Sequence, residues 1–420
     1  MRWMDIIRDV NEPSHPLSRL LAPRLAVLLK SFPAVVLTGA RQTGKTTLVQ
    51  QLPSKPPRAY LTLDDLDVLE RARLEPAALV ANAEGPLTLD EIQRSPDLLL
   101  AVKRAIDQRR TPGRFLLTGS ANLLLMRRIS ESLAGRAAYL TLWPLTRREQ
   151  LGLGTSGAWS RLLAAADRDW PAVLSAETAP EEDWRALARR GGYPTPAHEL
   201  DDAEARSAWF AGYVRTYLER DLLEISAVAS LVDVRRLMRA ICLRLGGLLN
   251  QTEVARDIGM SQPTVHRHLN LLETTYQLVR LPAFTVNRTK RLLKTPRVFW
   301  CDTGLAMHLA GETTPQGAHL ESLVLQDLLT WRDSLPVEAE ILYWRTAAGD
   351  EVDFVIEQDG MLLPIEVKTG RRSSLADVRS LKLFRQEYAD RVRPGLLLHT
   401  GSEIAWLADG VLAAPWWRVF

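Results

Sequence analysis

Cysteine is nearly absent from this 420-residue chain, with Cys242 and Cys301 the only two. That excludes a disulfide scaffold and a thiolate metal cluster, and it fits a reducing compartment. No run of 18 apolar residues occurs, so no transmembrane helix is expected. The opening MRWMDIIRDV interrupts its apolar residues with charge too early for a secretion signal. A cytoplasmic protein with no membrane partner is the resulting expectation. Excess charge of one sign is also missing: 53 Lys and Arg face 50 Asp and Glu, a formal net of +3, which alone gives no reason to expect nucleic acid. Lysine is scarce, at 8 against 45 arginines. Arginine suits bidentate phosphate contacts, although an arginine- and alanine-biased genome explains the same excess. What remains, 46% hydrophobic and 25% charged residues, is the profile of a globular protein of several domains.

The first chemical motif lies near the N-terminus. Residues 34–38 (AVVLT) form an apolar, β-branched run of buried-strand type, and GARQTGKTT follows from Gly39 and opens a helix through LVQQL. This is G-x-x-x-x-G-K-[ST] in a strand-loop-helix setting, which implies a nucleotide-binding loop made by Gly39, Ala40, Arg41, Gln42, Thr43, Gly44, Lys45, Thr46 and Thr47. Gly39 and Gly44 let the backbone curl so that its N–H groups point at phosphate oxygens. Lys45 then reaches the β- and γ-phosphates, and the Thr46 hydroxyl ligates Mg²⁺.

Residues 86–93 (PLTLDEIQ) read as a buried strand ending in two acids, 45 residues beyond Lys45. Asp90 would hold Mg²⁺ through its water shell and Glu91 would polarise the attacking water, as hydrolysis of ATP to ADP requires. A further strand, Phe115 to Thr118, runs into GSAN. It puts Asn122, with Ser120 as runner-up, at a strand's C-terminal end, where open parallel sheets bind ligands. A crossover helix over 96–110 and another strand at Ala138 to Leu142 complete a parallel α/β sheet with helices on both faces.

GARQTGKTTL, YLTLDD, LTLDEIQRSPDLL, FLLTGSANLLL, SLAGR and LWPLTRREQ occur in the order seen in a group of bacterial and archaeal AAA+-like ATPases, which the chain therefore resembles. In that group the ATPase domain precedes a C-terminal domain of unknown function whose core looks like a restriction endonuclease. The resemblance implies nucleotide or catalytic roles for Lys45, Thr46, Asp90, Glu91 and Asn122. It makes Arg136 of SLAGR either an arginine finger or phosphate sensor, or a structural salt bridge. A finger acting in trans would need a homo-oligomer.

The middle of the chain is less explicit. Residues 150–185 carry tryptophans and no chemical motif, and read as an insertion or helical lid. GGYP at 191–194 is either a sharp turn or similar to the element that contacts nucleotide in signal-transducing relatives of AAA+ proteins. Residues 203–228 read as one long amphipathic helix, with Arg215, Glu219, Arg220 and Asp221 on a salt-bridged face or at a subunit contact. From Val234 to Arg297 there are 12 Lys and Arg against three acids, a local charge of +9 that leaves the remainder at −6.

This basic stretch is patterned. QTEVARDIG, MSQ and PTVHRHLNLLE read as helix, turn and helix, with two strands around the basic turn VNRTKRLLKTP, a winged helix-turn-helix. In a DNA-reading version Gln262, Thr264 and Arg267 face the major groove, with Ser261, His266 and His268. Arg288, Lys290, Arg291 and Lys294 contact phosphates from the wing. Winged helices also serve as protein-protein elements.

Near the C-terminus, GDEVDFVIEQDGMLLPIEVKTG reads as a β-hairpin. Asp353, Glu366 and Lys368 lie at D-x12-E-x-K, the constellation of the PD-(D/E)XK nuclease fold, and the helix HLESLVLQDLLTW adds Glu321. Together the carboxylates would ligate a second Mg²⁺ or Mn²⁺, with Lys368 orienting water or stabilising the phosphorane. The expected organisation is a P-loop ATPase domain at 1–190, a helical linker or lid at 191–233, the winged helix at 234–310 and an α/β restriction-endonuclease-like domain at 311–420. Two functions compete. One is an ATP-driven DNA-processing enzyme; the other is a nucleotide-controlled protein-interaction switch of the signal-transducing ATPase type, without nuclease activity.

Overall fold

A computed structural model describes residues 17–83, 85–119, 133–218 and 230–420. The first sheet contains β1 (Ala34–Thr38), β2 (Ala59–Thr62), β3 (Leu87–Asp90), β4 (Phe115–Thr118) and β5 (Ala137–Thr141), ordered β2-β3-β4-β1-β5 and parallel throughout. Strand alternation sorts its side chains onto two cores. Ala34 and Val36 pack with Leu98, Leu99, Val102 and Ile106 of the crossover helix, while Val35 and Leu37 pack with Leu25 and Leu28 of α1 (Ala22–Ser31) and with Leu48 of α2 (Lys45–Gln51). The crossover helix is α3 (Leu98–Gln108). Each such fully buried leucine or valine stabilises the fold by roughly 1.5–3 kcal/mol. A parallel sheet brings every strand's C-terminal end to one edge, so Thr38, Asp90 and Thr118 meet there.

Residues 150–185 are not a lid. Trp159, Trp170 and Trp184 are buried in the same core as Trp416 and Phe420. The Ala158 N–H donates to Val419 O at 2.7 Å, and the Trp159 indole donates to Asp327 at 2.6 Å. Tryptophan content had no single meaning in the sequence; here it ties this segment to the chain's C-terminal end. Of the expected long helix the described residues show α4 (Ala203–Tyr213), capped by Asp202, which widens into a π-type turn over Val214–Leu218. Glu219, Arg220 and Asp221 lie outside the described residues.

Three capped helices follow: α5 (Leu231–Cys242) under Ser230, α6 (Gln251–Ile258) under Asn250 and α7 (Gln262–Thr274) under Ser261. Gly259 ends α6 in the left-handed region, φ +70°, where a side chain would be strained. A two-stranded antiparallel ribbon comes next, β6 (Leu278–Leu281) with β7 (Arg297–Trp300), and Leu248 bridges to Arg297. The basic segment between them contains one helical turn, Arg288–Arg291, capped by Asn287.

The C-terminal part begins with α8 (Thr303–Ala310) and α9 (Gly317–Ser334). It contains a mixed sheet of β8 (Ala339–Arg345), β9 (Glu351–Gln358), β10 (Met361–Val367), β11 (Gly395–His399), β12 (Ala405–Ala408) and β13 (Val411–Pro415), ordered β12-β13-β11-β10-β9-β8. The expected hairpin is β9-β10, and α10 (Arg379–Glu387) carries the chain across to β11, which runs parallel to β10. Alternation again divides the strands: Ile341, Phe354, Ile356 and Ile365 face α9, whereas Leu342, Val355 and Leu362 face α10. Among the described residues no helix is long and apolar enough to cross a membrane.

Candidate functional site

The loop between β1 and α2 is forced close to its surroundings. Gly39 has φ +143°, and a Cβ there would collide with the Leu142 carbonyl; Gly44 has φ +87° at the start of α2. Both positions need glycine. Lys45 is buried, and its ammonium donates to Gly39 O at 3.1 Å and Ala40 O at 2.7 Å, so it lies folded along the loop it serves. Beneath the loop is a residue that sequence reasoning missed. Buried Arg19 donates to Thr43 O at 2.7 Å, Trp143 O at 2.6 Å and Glu149 at 3.0 Å, bracing the loop from below. A single arginine ahead of α1 carries no pattern that would reveal this.

Asp90 ends β3 directly opposite the loop. Its carboxylate accepts from Thr46 at 2.8 Å, from Tyr60 at 2.6 Å and from Thr118. Tyr60 and Thr118 were not among the expected site residues, although both lie on strands next to β3 in the sheet and so reach its C-terminal edge. Burial, then the bond to Asp90, pushes the Tyr60 phenol up, so it remains a proton donor. Glu91, one residue on, adopts φ +57° and accepts from the Gln93 amide. Burial pushes its carboxyl up against the pull of Lys45, which suits a group that takes a proton from water.

The other predicted ATPase residues separate. Ser120 and Asn122 lie outside the described residues. Arg136 precedes β5, and because Ala34 stands opposite Ala137 in the parallel register, it occupies the sheet edge away from the loop. That is roughly 16 Å from Gly39, at about 3.3 Å per strand residue. There it forms an ion pair with Asp107 at 2.6 Å, so within its own chain Arg136 is the salt bridge rather than the finger.

The middle segment reaches the loop from the other side. The Tyr276 hydroxyl lies 2.7 Å from the hydroxyl of Thr38, the residue before Gly39. Tyr213 donates to Arg41 O at 3.4 Å, and Gln277 donates to Tyr213 at 3.2 Å. Tyr276 has φ +59°, a strained value for tyrosine held immediately after α7. GGYP is indeed a turn: Gly191 ends a helix at φ +72° with Asp302 against it. The same turn brings Pro194 to the side of Gly44 where a Cβ would stand.

Of the residues considered for DNA contact, Gln262, Arg267, Arg288, Lys290 and Lys294 are exposed and Thr264 is half-buried. Arg291 is not available. It is buried, paired with Glu340 at 2.6 Å and Glu357 at 2.7 Å, and stacked over Phe284. The helical turn Arg288–Arg291 points one side chain in four toward the sheet, which a sequence read as an open turn does not disclose. His268 is likewise buried, and His266 bonds Gln251 and Asn270.

The C-terminal acids do gather. Asp353 accepts from the Val367 N–H at 2.8 Å across the hairpin, and Lys368 donates to Glu366 at 2.6 Å. Glu321 on α9 completes the set, but another residue sits within it: buried Arg297 of β7 pairs with Glu321, with Asp353 at 3.2 Å and with Glu351 at 3.4 Å. Burial and the neighbouring Asp353 raise Glu321 to about 7 and Glu366 to about 8. Burial opposes the charge on Arg297, and the carboxylates more than offset it. Among the described residues no group of three or more His, Cys, Asp or Glu is placed to hold a metal ion.

Residues 31–151 match the model of an AAA domain, 181–316 that of a domain of unknown function (DUF8612), and 316–419 that of another (DUF4143). The chain is 30% identical, over an alignment of 430 residues, to the uncharacterized protein Rv2008c of Mycobacterium tuberculosis and equally to the uncharacterized protein Mb2031c of Mycobacterium bovis. Each alignment covers 97% of this chain and 87% of the relative. Among solved structures, the Walker-type ATPase PABY2304 of Pyrococcus abyssi matches 70% of this chain and 98% of its own at 14% identity, with a TM-score of 0.42.

Proposed function

Because the chain belongs to the family of the mycobacterial protein Rv2008c and carries an AAA domain of P-loop ATPase type, we propose that it binds and hydrolyses ATP with Mg²⁺ and couples this to DNA binding or processing. The observation that carries the ATPase reading is the 2.8 Å bond from Thr46 to Asp90, which places the loop hydroxyl and the strand-end carboxylate together with Lys45 and Glu91 at one sheet edge. Hard oxygen donors of this kind fit Mg²⁺. Thr46 and Asp90 would hold the cation, whose charge neutralises phosphate oxygens when nucleotide is bound. Lys45 binds the β- and γ-phosphates, the loop N–H groups cradle them, and Glu91 takes the proton of the attacking water.

The DNA reading is supported by the capped helices α6 and α7 followed by the β6-β7 ribbon, the element order of a winged helix, and by the exposed Arg267, Arg288, Lys290 and Lys294. The DNA-contact set is thereby reduced to Gln262, Thr264, Arg267, Arg288, Lys290 and Lys294. The β9-β10 hairpin with Glu321, Asp353, Glu366 and Lys368 supports a nuclease-like module over 311–420. A second reading, the nucleotide-controlled switch, is favoured by a specific contact: Tyr276 and Gln277, at the end of α7, dock onto Thr38 and, through Tyr213, onto Arg41.

Turnover measured with and without single-stranded, duplex and branched DNA, with cleavage followed in the same tubes, separates the two. Lys45→Ala is expected to abolish nucleotide binding, and Glu91→Gln to retain ATP without hydrolysing it. Unchanged turnover in Glu91→Gln would remove that residue from its role. DNA stimulation that falls steeply with salt supports the first reading, and its absence supports the switch.

A further inference from the structure

The sheet edge opposite the nucleotide loop carries a cleft of about 640 Å³, between the starts of β2, β3 and β4 and the ends of α1, α2 and α3. That volume lies within the range of small-molecule sites, about 300–1,000 Å³. Lys30, Lys55, Arg58, Arg109 and Arg114 line it, and among the described residues no Asp or Glu does; Glu84 lies outside them. Arg58 and Arg114 are half-buried and held in place. Arg58 donates to Leu87 O at 3.2 Å and Gly113 O at 2.7 Å, while Arg114 donates to Ala105 O at 2.9 Å and lies over the Phe115 ring. A guanidinium has five N–H donors, so both keep donors for another acceptor. Burial pulls both guanidiniums down, Arg109 adds to the effect at Arg114, and no carboxylate offsets it.

Helix ends explain only part of this charge. The C-termini of α1, α2 and α3 meet here, and at about half a negative charge each they supply about −1.5, enough for at most about two of the cations. Lys30, in the last turn of α1, and Arg114, on a carbonyl of α3, serve that role. Lys55, Arg58 and Arg109 are in surplus, and cations gathered without counter-charge repel one another unless an anion joins them. The rest of the wall is apolar and stiff. Pro53, Pro56, Pro86 and Pro112 have a fixed φ and almost no side-chain freedom to lose, so they offer a preformed surface to the uncharged part of a ligand.

We propose that this cleft is a second anion site, separate from the nucleotide loop, which binds a phosphate-bearing small molecule of nucleotide size. Arg58 and Arg114 fix the phosphates from the inner wall, Lys30, Lys55 and Arg109 meet them from the rim, and the prolines pack against the uncharged remainder. Arginine on the inner wall suits this task, because its planar fork pairs with two phosphate oxygens at once.

The experiment is calorimetric titration of the full-length Lys45→Ala chain, without Mg²⁺, using ADP as the probe and adenosine as its phosphate-free control. The Lys45 substitution and the absence of Mg²⁺ weaken binding at the loop, and the quantity read is the ADP equivalent that depends on the cleft. Lys30→Gln, Lys55→Gln and Arg109→Gln together remove three exposed charges without touching the core, and are expected to weaken that equivalent about tenfold. Arg114→Gln is expected to weaken it as well, and the triple variant carries the test if Arg114→Gln does not fold. No ADP equivalent in the Lys45→Ala chain, equal affinity in the triple variant, or adenosine binding as tightly as ADP overturns the proposal. A single-stranded dT20 that binds more tightly than ADP and is weakened by the same three substitutions also overturns it, by assigning the cleft to nucleic acid.

Discussion

Arg291→Gln separates a structural arginine from a DNA contact. In the fold its guanidinium is 5% exposed, pairs with Glu357 at 2.7 Å and Glu340 at 2.6 Å, and donates to Thr285 O at 2.9 Å. Removing one partner of a buried pair costs about 3–5 kcal/mol, because the other charge is left in a poorly solvated place. Here the cost is moderated, since Arg391 and Arg288 also face Glu357, at 3.3 and 3.9 Å. The expected loss is therefore about 2–3 kcal/mol, and at roughly 2–4 °C per kcal/mol for a unit of this size the melting temperature should fall by about 4–12 °C. Thermal unfolding and the salt dependence of DNA binding are measured on the same preparations. Arg291→Gln should melt lower and keep the wild-type salt slope, whereas Lys290→Gln and Lys294→Gln should keep the melting temperature and each lower the slope by about one. An Arg291→Gln protein of unchanged melting temperature with a reduced slope would refute the burial argument.

Tyr276→Phe keeps the edge contact with Trp143 but removes the bond to Thr38, at a cost of about 0.5–1.5 kcal/mol. If docking of α7 on the loop is linked to nucleotide, ATP affinity measured by calorimetry should change severalfold, and identical affinity would show that the contact is silent. Arg136→Ala is expected to leave ATP affinity unchanged, and a tenfold loss in a binding isotherm would return Arg136 to its own site. Stability should also depend on pH through two buried carboxyls. Burial raises Asp302 to about 6 and Asp327 to about 7, so each binds its proton more tightly folded than unfolded. The resulting stability is full below the ordinary carboxylate value of about 3.9 and is lost as pH rises through 6–7. Asp327→Asn, which can still accept from Trp159, should flatten that decline, by up to about 3 kcal/mol between pH 5 and 8. A denaturant midpoint with the same pH profile in both proteins would refute it.

What was readable in the chain depended on how local the determining physics is. The loop from Gly39 to Thr47 was legible because its chemistry is carried by consecutive backbone groups, and Asp90 and Glu91 because a short apolar run ending in acids places them at a strand end. The β9-β10 hairpin was legible from alternation around QDG. By contrast, Arg19 beneath the loop, Tyr60 and Thr118 on Asp90, and Tyr276 on Thr38 join residues 24 to 238 positions apart, and no spacing rule links them.

The sequence by itself therefore determined the kind of chemistry on offer: a phosphate-cradling loop, a strand-end pair of acids, a basic middle segment and a set of C-terminal carboxylates. Only the tertiary structure decided which of those charges are free to act. Arg136 is removed from the nucleotide edge by the direction of a parallel strand. Arg291 is turned inward by one helical turn, and Arg297 is inserted among Glu321, Asp353 and Glu351 by a ribbon from a different part of the chain. For Arg291 and Arg297, both buried, the physical reason is the same. An arginine in a one-dimensional sequence is a charge with no position, and its partner is chosen by packing, which brings distant segments together and leaves buried charge no stable alternative to pairing.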